Sequence, residues 1–105
     1  MNDIKYLYHA TSKENAMEII INGFNDKVTF FCTEPKHTGE FMSLYHGKGT
    51  YTVIEVDVSK LDLKKLEKSN DHNPDYFSKG LKAYVYNGEI SAETITDSYL
   101  EMNIE

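Results

Sequence analysis

The first third of the chain contains two short runs of β-branched and aromatic residues, separated by a segment with a broad apolar helical face. Ile4 to Tyr8 is rich in β-branched and aromatic residues and predicts a strand that ends at His9-Ala10-Thr11. A helix follows, because Thr11 and Glu14 form a capping box and Asn22-Gly23 supplies a stop. Val28 to Thr33 then predicts a second strand.

The middle of the chain predicts a second helix and a long strand. Phe41, Leu44 and Tyr45 are spaced at i, i+3 and i+4, which predicts a helix from Thr38 to His46. In Thr50 to Val58 the apolar and polar residues alternate. One face of this strand is therefore expected in the core and the other in water.

The last part of the chain is predicted to be mostly strand. Ser59 to Lys68 predicts one or two helical turns, and Ser69 to Pro74 predicts a loop. Leu81 to Tyr86 predicts a strand, and Asn87-Gly88 favours a type I′ turn that folds a further strand, Ile90 to Ile95, back onto it. Helices and strands mix without regular alternation, which predicts a single α+β domain over residues 1–105.

Composition narrows the range of functions. The net charge is −6, and all 11 basic residues are lysines. An acidic chain without arginine lacks the clustered cations and planar forks that hold a phosphate backbone, so we do not expect a nucleic-acid partner. One cysteine cannot form an internal disulfide, and the N-terminus lacks the pattern of a signal peptide. No apolar run approaches the length of a bilayer, so we expect a cytoplasmic protein without a membrane partner.

Four short motifs follow one another in a characteristic order. Tyr8-His9-Ala10-Thr11-Ser12 ends the first strand, and the helix after it closes on Asn22-Gly23-Phe24. The aromatic strand Phe30-Phe31-Cys32-Thr33 comes next, and Tyr45 lies on the following helix. This order resembles the front half of the ADP-ribosyltransferase superfamily, in the His-Tyr-Glu branch of poly(ADP-ribose) polymerases and many bacterial toxins.

The resemblance covers Tyr6 to about Asp57 and, more loosely, Leu81 to Ile95. It implies a compact split mixed β-sheet with flanking helices, whose cleft binds NAD as a substrate. The activity it implies is mono-ADP-ribosyl transfer from NAD to a protein target.

The resemblance also assigns roles to residues that would bind NAD. His9 would bond a ribose hydroxyl and seat the dinucleotide, with Ala10 and Thr11 beside it. Tyr45 would stack its ring on the nicotinamide, and Phe41 is the alternative for that role. An aromatic face suits the nicotinamide because the π-cloud attracts its cationic ring.

A catalytic carboxylate is harder to place. Cleavage of the nicotinamide–ribose bond develops positive charge on the ribose, so a carboxylate is needed where that charge appears. In the family, a glutamate at the start of a late strand has this role, but Lys82 or Ala83 occupies its place in this chain. Glu89, after the Asn-Gly turn, is our first candidate, and Glu34 and Glu40 are the others.

Each candidate also has a purely structural explanation. His9 can be a partly buried histidine bonded to backbone, Tyr45 can be a core residue, and Glu89 can be an exposed turn residue. Cys32, on an apolar strand, is expected to be a small core residue rather than a nucleophile.

Two other chemistries are not expected. RNA 2′-phosphotransferases share the family's fold but hold the phosphate with arginines, and this chain has none. His37 and His46 are nine residues apart and so lie about 180° out of phase on a helix, which argues against a metal site.

The lack of a matching glutamate leaves a second hypothesis open. In it, the chain is a catalytically inactive relative that binds a nucleotide or a partner protein. The small, acidic composition, rich in lysine, asparagine and isoleucine, is compatible with a phage or mobile-element product that acts on a host protein.

Overall fold

The computed structural model describes residues 4–36, 38, 47–68 and 83–104. Within these residues the protein has an α+β fold, in which one ten-residue helix packs on a six-stranded sheet. The strands are β1 (Tyr6–Thr11), β2 (Val28–Cys32), β3 (Gly49–Asp57), β4 (Leu66–Lys68), β5 (Ala83–Asn87) and β6 (Ile95–Ile104), and the helix is α1 (Lys13–Asn22).

The strand order in the sheet is β4-β5-β2-β1-β3-β6. Every described pair of neighbouring strands is antiparallel, so a mixed sheet was the wrong expectation for this part of the chain. β1 and β3 pair over six consecutive positions, whereas β1 and β2 share a single registered pair, Tyr8 with Cys32. The sheet is therefore loosely joined at its centre, immediately before His9.

Helix α1 begins one residue later than the capping box predicts. Ser12 is the N-cap, and its hydroxyl accepts a hydrogen bond from the Asn15 backbone N–H at 3.2 Å. Thr11 cannot serve as the cap because it is the last residue of β1 and is paired with Thr52. The predicted stop is confirmed, since Gly23 has a φ of 82° and its N–H donates to the Ile19 carbonyl.

The core lies on both faces of the sheet. On the α1 face, the largest fully buried side chains belong to one cluster, which contains Leu7, Phe31, Ile54 and Val56. A smaller cluster on the opposite face contains Ala10, Tyr51 and Val53. One face of β3 was predicted to be in contact with solvent. Only the second half of the strand has such a face, at the partly exposed residues Glu55 and Asp57.

The segment after β5 does not form the predicted hairpin. β5 pairs with β2 and β4, and Ile90 instead bridges to Phe24, the residue after the helix stop. Asn87 has a negative φ, so the type I′ turn is absent. Burial explains the difference, because Ile90 and Phe24 both pack into the main core and their backbones pair there. The strand predicted at 90–95 is replaced by a 3-10 turn, Ala92–Thr94, and by β6.

The segment between β3 and β4 is helical only in part. Two 3-10 turns, Val58–Lys60 and Leu63–Lys65, are capped by the Asp57 and Asp62 side chains, and the short strand β4 follows. Of the predicted second helix, Thr38 to His46, only Thr38 is described, and it is helical, as are Pro35 and Lys36 before it; 39–46 lie outside the described residues. The predicted loop at 69–74 lies outside them as well.

Candidate functional site

Three contacts hold the imidazole ring of His9 in place. The Nδ1 atom lies 2.8 Å from the backbone carbonyl oxygen of Phe30 on β2. The imidazole also makes edge-to-face contacts with Phe24 and Phe31, at ring-centroid distances of 5.3 and 5.9 Å. One hydrogen bond and two aromatic contacts therefore hold the ring in one orientation.

This geometry fixes the tautomer of His9. A carbonyl oxygen can only accept, so Nδ1 carries the proton and donates it to Phe30. Burial lowers the pKa of the imidazole from its ordinary value, and the bond to Phe30 and the charge of Asp26 oppose this only in part. The ring is thus neutral near pH 7, and Nε2 remains as its hydrogen-bond acceptor.

His9 lines a cavity of about 310 Å³ between β1, α1 and the segment after the helix. The size is at the lower end of the range for small-molecule sites. The Phe24 ring and Ile19 form apolar wall, and the other side chains are polar. The lining residues are His9, Thr11, Asn15, Glu18, Ile19, Gly23, Phe24, Asn25 and Asp26.

The charge of the cavity is negative. Glu18 on α1 and Asp26 after the helix contribute carboxylates, and no lysine is among the described lining residues. Carboxylates attract a cation and repel a phosphate at these short distances. The cavity therefore suits a neutral or cationic ligand group with hydroxyls better than a diphosphate.

Of the residues predicted to bind a ligand, two occur together in this cavity, one does not, and two lie outside the described residues. His9 and Thr11 both line it. Ala10 points to the opposite face of the sheet and packs there with Tyr51 and Val53, so only its backbone can take part. Phe41, Tyr45 and Glu40, the remaining candidates from the second helix, lie outside the described residues.

Of the predicted acids that the structure describes, neither Glu89 nor Glu34 is among the residues that line the cavity. Glu89 is exposed, although its neighbour Ile90 pairs with the lining residue Phe24 and so brings it to the same end of the molecule. Glu34 follows β2, and its carbonyl accepts a hydrogen bond from Thr38. Ala83, one of the two positions where the family glutamate is expected, is buried beside Cys32 at the start of β5, and the other, Lys82, lies outside the described residues.

Four cavity residues were missed by the sequence analysis: Asn15, Glu18, Asn25 and Asp26. A signal for two of them existed, since Asn15, Glu18 and Ile19 share one helix face by their spacing. Nothing local distinguishes Asn25 and Asp26 from ordinary loop residues, because the Phe24–Ile90 bridge places them.

The remaining candidate chemistry is not supported. Burial raises the pKa of the Cys32 thiol, and a hydrogen bond with Thr38 opposes the rise, so the group is a neutral core thiol. Among the described side chains, no three histidine, cysteine or acidic groups come together as a metal site. Over the same residues, no helix is long and apolar enough to cross a bilayer.

No family model matches the chain, and no curated protein is similar to it at a significant level.

Proposed function

We propose that the chain is an ADP-ribosyltransferase-like protein that binds NAD and transfers ADP-ribose to a protein target. The observation that carries the proposal is the state of His9: a neutral imidazole with Nδ1 fixed on Phe30, lining a polar cavity beside Thr11. A fixed Nε2 acceptor is what a ribose hydroxyl requires of the histidine in the resemblance described above.

Charge supports the same proposal. When bound, NAD supplies a cationic nicotinamide ring and a ribose that becomes positive as the bond between them breaks. Glu18 and Asp26 place negative charge in the cavity, and Asp26 is near enough to His9 to influence its pKa. These two acids replace Glu89 as our candidates for stabilising the ribose cation.

Size sets which part of NAD the cavity would hold. A volume of about 310 Å³ suits a nucleoside-sized group rather than a whole dinucleotide. Together with the negative lining, this favours the nicotinamide–ribose end inside the cavity and the diphosphate outside it.

A second candidate function is a module of the same fold that binds a nucleotide or a partner protein without turnover. Ala83 favours it, because a buried methyl group stands at one of the two positions where the resemblance places the carboxylate. The two candidates differ in a single step, the release of nicotinamide.

The test combines turnover with binding. The protein is incubated with NAD, free nicotinamide is measured by chromatography, and the melting temperature is followed as NAD is added. His9→Asn keeps a donor at the position of Nδ1 and removes Nε2, whereas His9→Gln keeps a polar group near Nε2 and removes the donor to Phe30. Glu18→Gln and Asp26→Asn test the acids, and Glu89→Gln is the matched control.

We expect nicotinamide release that falls at least roughly tenfold in Asp26→Asn or Glu18→Gln and stays unchanged in Glu89→Gln. We also expect His9→Asn to abolish the NAD-dependent rise in melting temperature, which reports ligand binding by mass action. A rise without nicotinamide release would establish the binding module. If NAD produced no rise in melting temperature and no nicotinamide were released, the NAD site would be refuted altogether.

A further inference from the structure

β6 forms one end of the sheet. It follows β3 in the strand order, and within the described residues no strand pairs with its outer side. From Tyr99 to Ile104 it stays in unbroken register with Gly49–Ile54 of β3. Six residues of straight strand therefore present an outer row of backbone N–H and C=O groups, which is the geometry that accepts an added strand.

A bulge marks where this edge begins. Three residues of β6 (Thr96, Asp97 and Ser98) lie opposite the single residue Glu55 of β3, between the pairs Val56–Ile95 and Ile54–Tyr99. The Thr96 hydroxyl donates to Glu55 Oε1 at 2.8 Å, and Glu55 Oε2 accepts from the Tyr8 hydroxyl. Through Glu55, these two hydrogen bonds connect the bulge to β3 and β1. They therefore restrain the part of β6 that follows the bulge.

The edge strand also carries negative charge. β6 contains two carboxylates, Asp97 and Glu101, and no lysine. Asp97 and Glu101 are exposed on β6 itself. Glu101 makes an ion pair with Lys13 at 3.8 Å, but both groups are exposed, so the pair is weak and easily exchanged.

Charge decides between the possible occupants of the edge. A second copy of β6 would bring a second set of carboxylates to the same edge, and like charges are destabilising where they lie opposite each other in a cross-strand pair. Proteins protect an edge strand with charged side chains, proline or a bulge; β6 contains no lysine or proline, and its bulge and Asp97 precede residues 99–104. Its acids instead oppose self-association and attract an extended segment of opposite charge.

We propose that the outer edge of β6, residues 99–104, binds an extended lysine- or arginine-rich segment of a partner protein by strand addition. The proposal stands independently of the NAD site, since none of the cavity residues lies on β6.

The experiment uses the full chain, labelled with ¹⁵N, and three synthetic octapeptides. The first alternates lysine with valine and threonine, the second has the same charge but two central prolines, and the third replaces every lysine with glutamate. Affinity is measured by fluorescence anisotropy at low and high salt, and the site is located from backbone amide shifts. Glu101→Lys tests the edge, and Glu67→Lys on β4, the strand at the other end of the sheet, is the control with the same change in net charge.

We expect the lysine peptide to shift amides of 95–104 and to bind at least roughly tenfold more tightly than the proline peptide, which cannot donate to the ladder. Glu101→Lys should weaken binding roughly three- to fivefold, and Glu67→Lys less than twofold. The proposal would be overturned if the proline peptide bound as tightly as the lysine peptide. It would also be overturned if Glu101→Lys and Glu67→Lys lost affinity equally, or if the amide shifts were confined to strands other than β6.

Discussion

The imidazole of His9 and the carbonyl of Phe30 lie 2.8 Å apart at the place where β1 and β2 stop pairing. The last registered pair between these strands is Tyr8 with Cys32, so the side chain of the next residue supplies a contact that the backbone no longer makes. The bond therefore adds to the single registered pair that joins the two halves of the sheet, and it fixes the tautomer of the candidate ligand-binding histidine.

The His9–Phe30 relationship predicts a dependence of stability on pH. Burial lowers the pKa of His9 in the folded protein below its value in the unfolded chain, so between the two values the unfolded chain binds more protons. The contribution of His9 to stability is present above pH 6.5 and is lost as pH falls toward the folded-state pKa. The melting temperature, measured from pH 7.5 to 5, should fall more in the wild type than in His9→Asn.

The comparison with His9→Asn isolates the effect, because the carboxylates and the other histidines are common to both proteins. At pH 7.5 the variant should be less stable by about 1–3 kcal/mol, since Asn keeps the donor to Phe30 but loses the ring contacts with Phe24 and Phe31. Parallel curves for the two proteins over the whole pH range would show that His9 is not a buried neutral base.

The sequence predicts the elements that depend on local pattern. α1 and its stop at Gly23 follow from helical spacing and from the conformational freedom of glycine. β1 and β2 follow from their β-branched and aromatic residues, and β3 follows from alternation. The cap was misplaced by one residue because Thr11 and Ser12 are equally good caps in sequence, and only the pairing of Thr11 with Thr52 decides between them. Long-range pairing was not predictable: the Phe24–Ile90 bridge replaced a hairpin with a strong local signal.

The difference between local patterns, which can be predicted, and long-range contacts, which cannot, also holds for the candidate site. His9 and Thr11 could be found because they end a strand in a recognisable motif, and they do share a cavity. Asp26 could not be found, since it is brought near His9 by the fold of a segment 17 residues away in sequence.

The N-cap of α1 gives the second prediction. Ser12→Ala removes the acceptor for the Asn15 N–H and should lower the free energy of unfolding by about 1 kcal/mol. Glu14→Gln is the control, because Glu14 would matter only in a capping box with Thr11 and should change stability by a few tenths of a kcal/mol through the helix dipole. Urea denaturation measures both. A larger loss in Glu14→Gln than in Ser12→Ala would restore the capping box.

A buried threonine gives the third prediction. Thr29 is 4% exposed, and among the described residues its hydroxyl has no hydrogen-bond partner. Thr29→Val keeps the shape of the side chain and removes an unsatisfied polar group, so we expect a gain of about 1 kcal/mol in the free energy of unfolding.

Thr94 is the matched control for Thr29, since it is equally buried but its hydroxyl donates to the Ser91 carbonyl at 2.8 Å. Thr94→Val should lose about 1 kcal/mol. The two variants should therefore shift the urea midpoint in opposite directions with unchanged slopes. A loss in both would indicate that the Thr29 hydroxyl has a partner in solution, such as a bound water.

Gly23 provides the strongest prediction, because two separate constraints meet there. Its φ of +82° disfavours any side chain, and a Cβ at this position would lie 2.3 Å from the Ile90 carbonyl oxygen and 2.9 Å from the Ala92 nitrogen. That carbonyl accepts the Phe24 N–H at 2.8 Å, so the clash acts directly on the bridge that forms one side of the cavity. Gly47 has a nearly identical φ of +84°, and no atom of the described residues would lie within 4 Å of a Cβ added there, which makes it the matched control. We expect Gly47→Ala to cost about 1–2 kcal/mol from backbone strain alone and Gly23→Ala at least about 3 kcal/mol, measured by urea denaturation.

Gly23→Ala should also weaken protection of the Phe24 and Ile90 amides from hydrogen exchange, because each donates to the other residue's carbonyl. Equal losses in the two variants would mean that the segment around Ile90 moves aside at little cost, and that the bridge does not determine the position of Asn25 and Asp26.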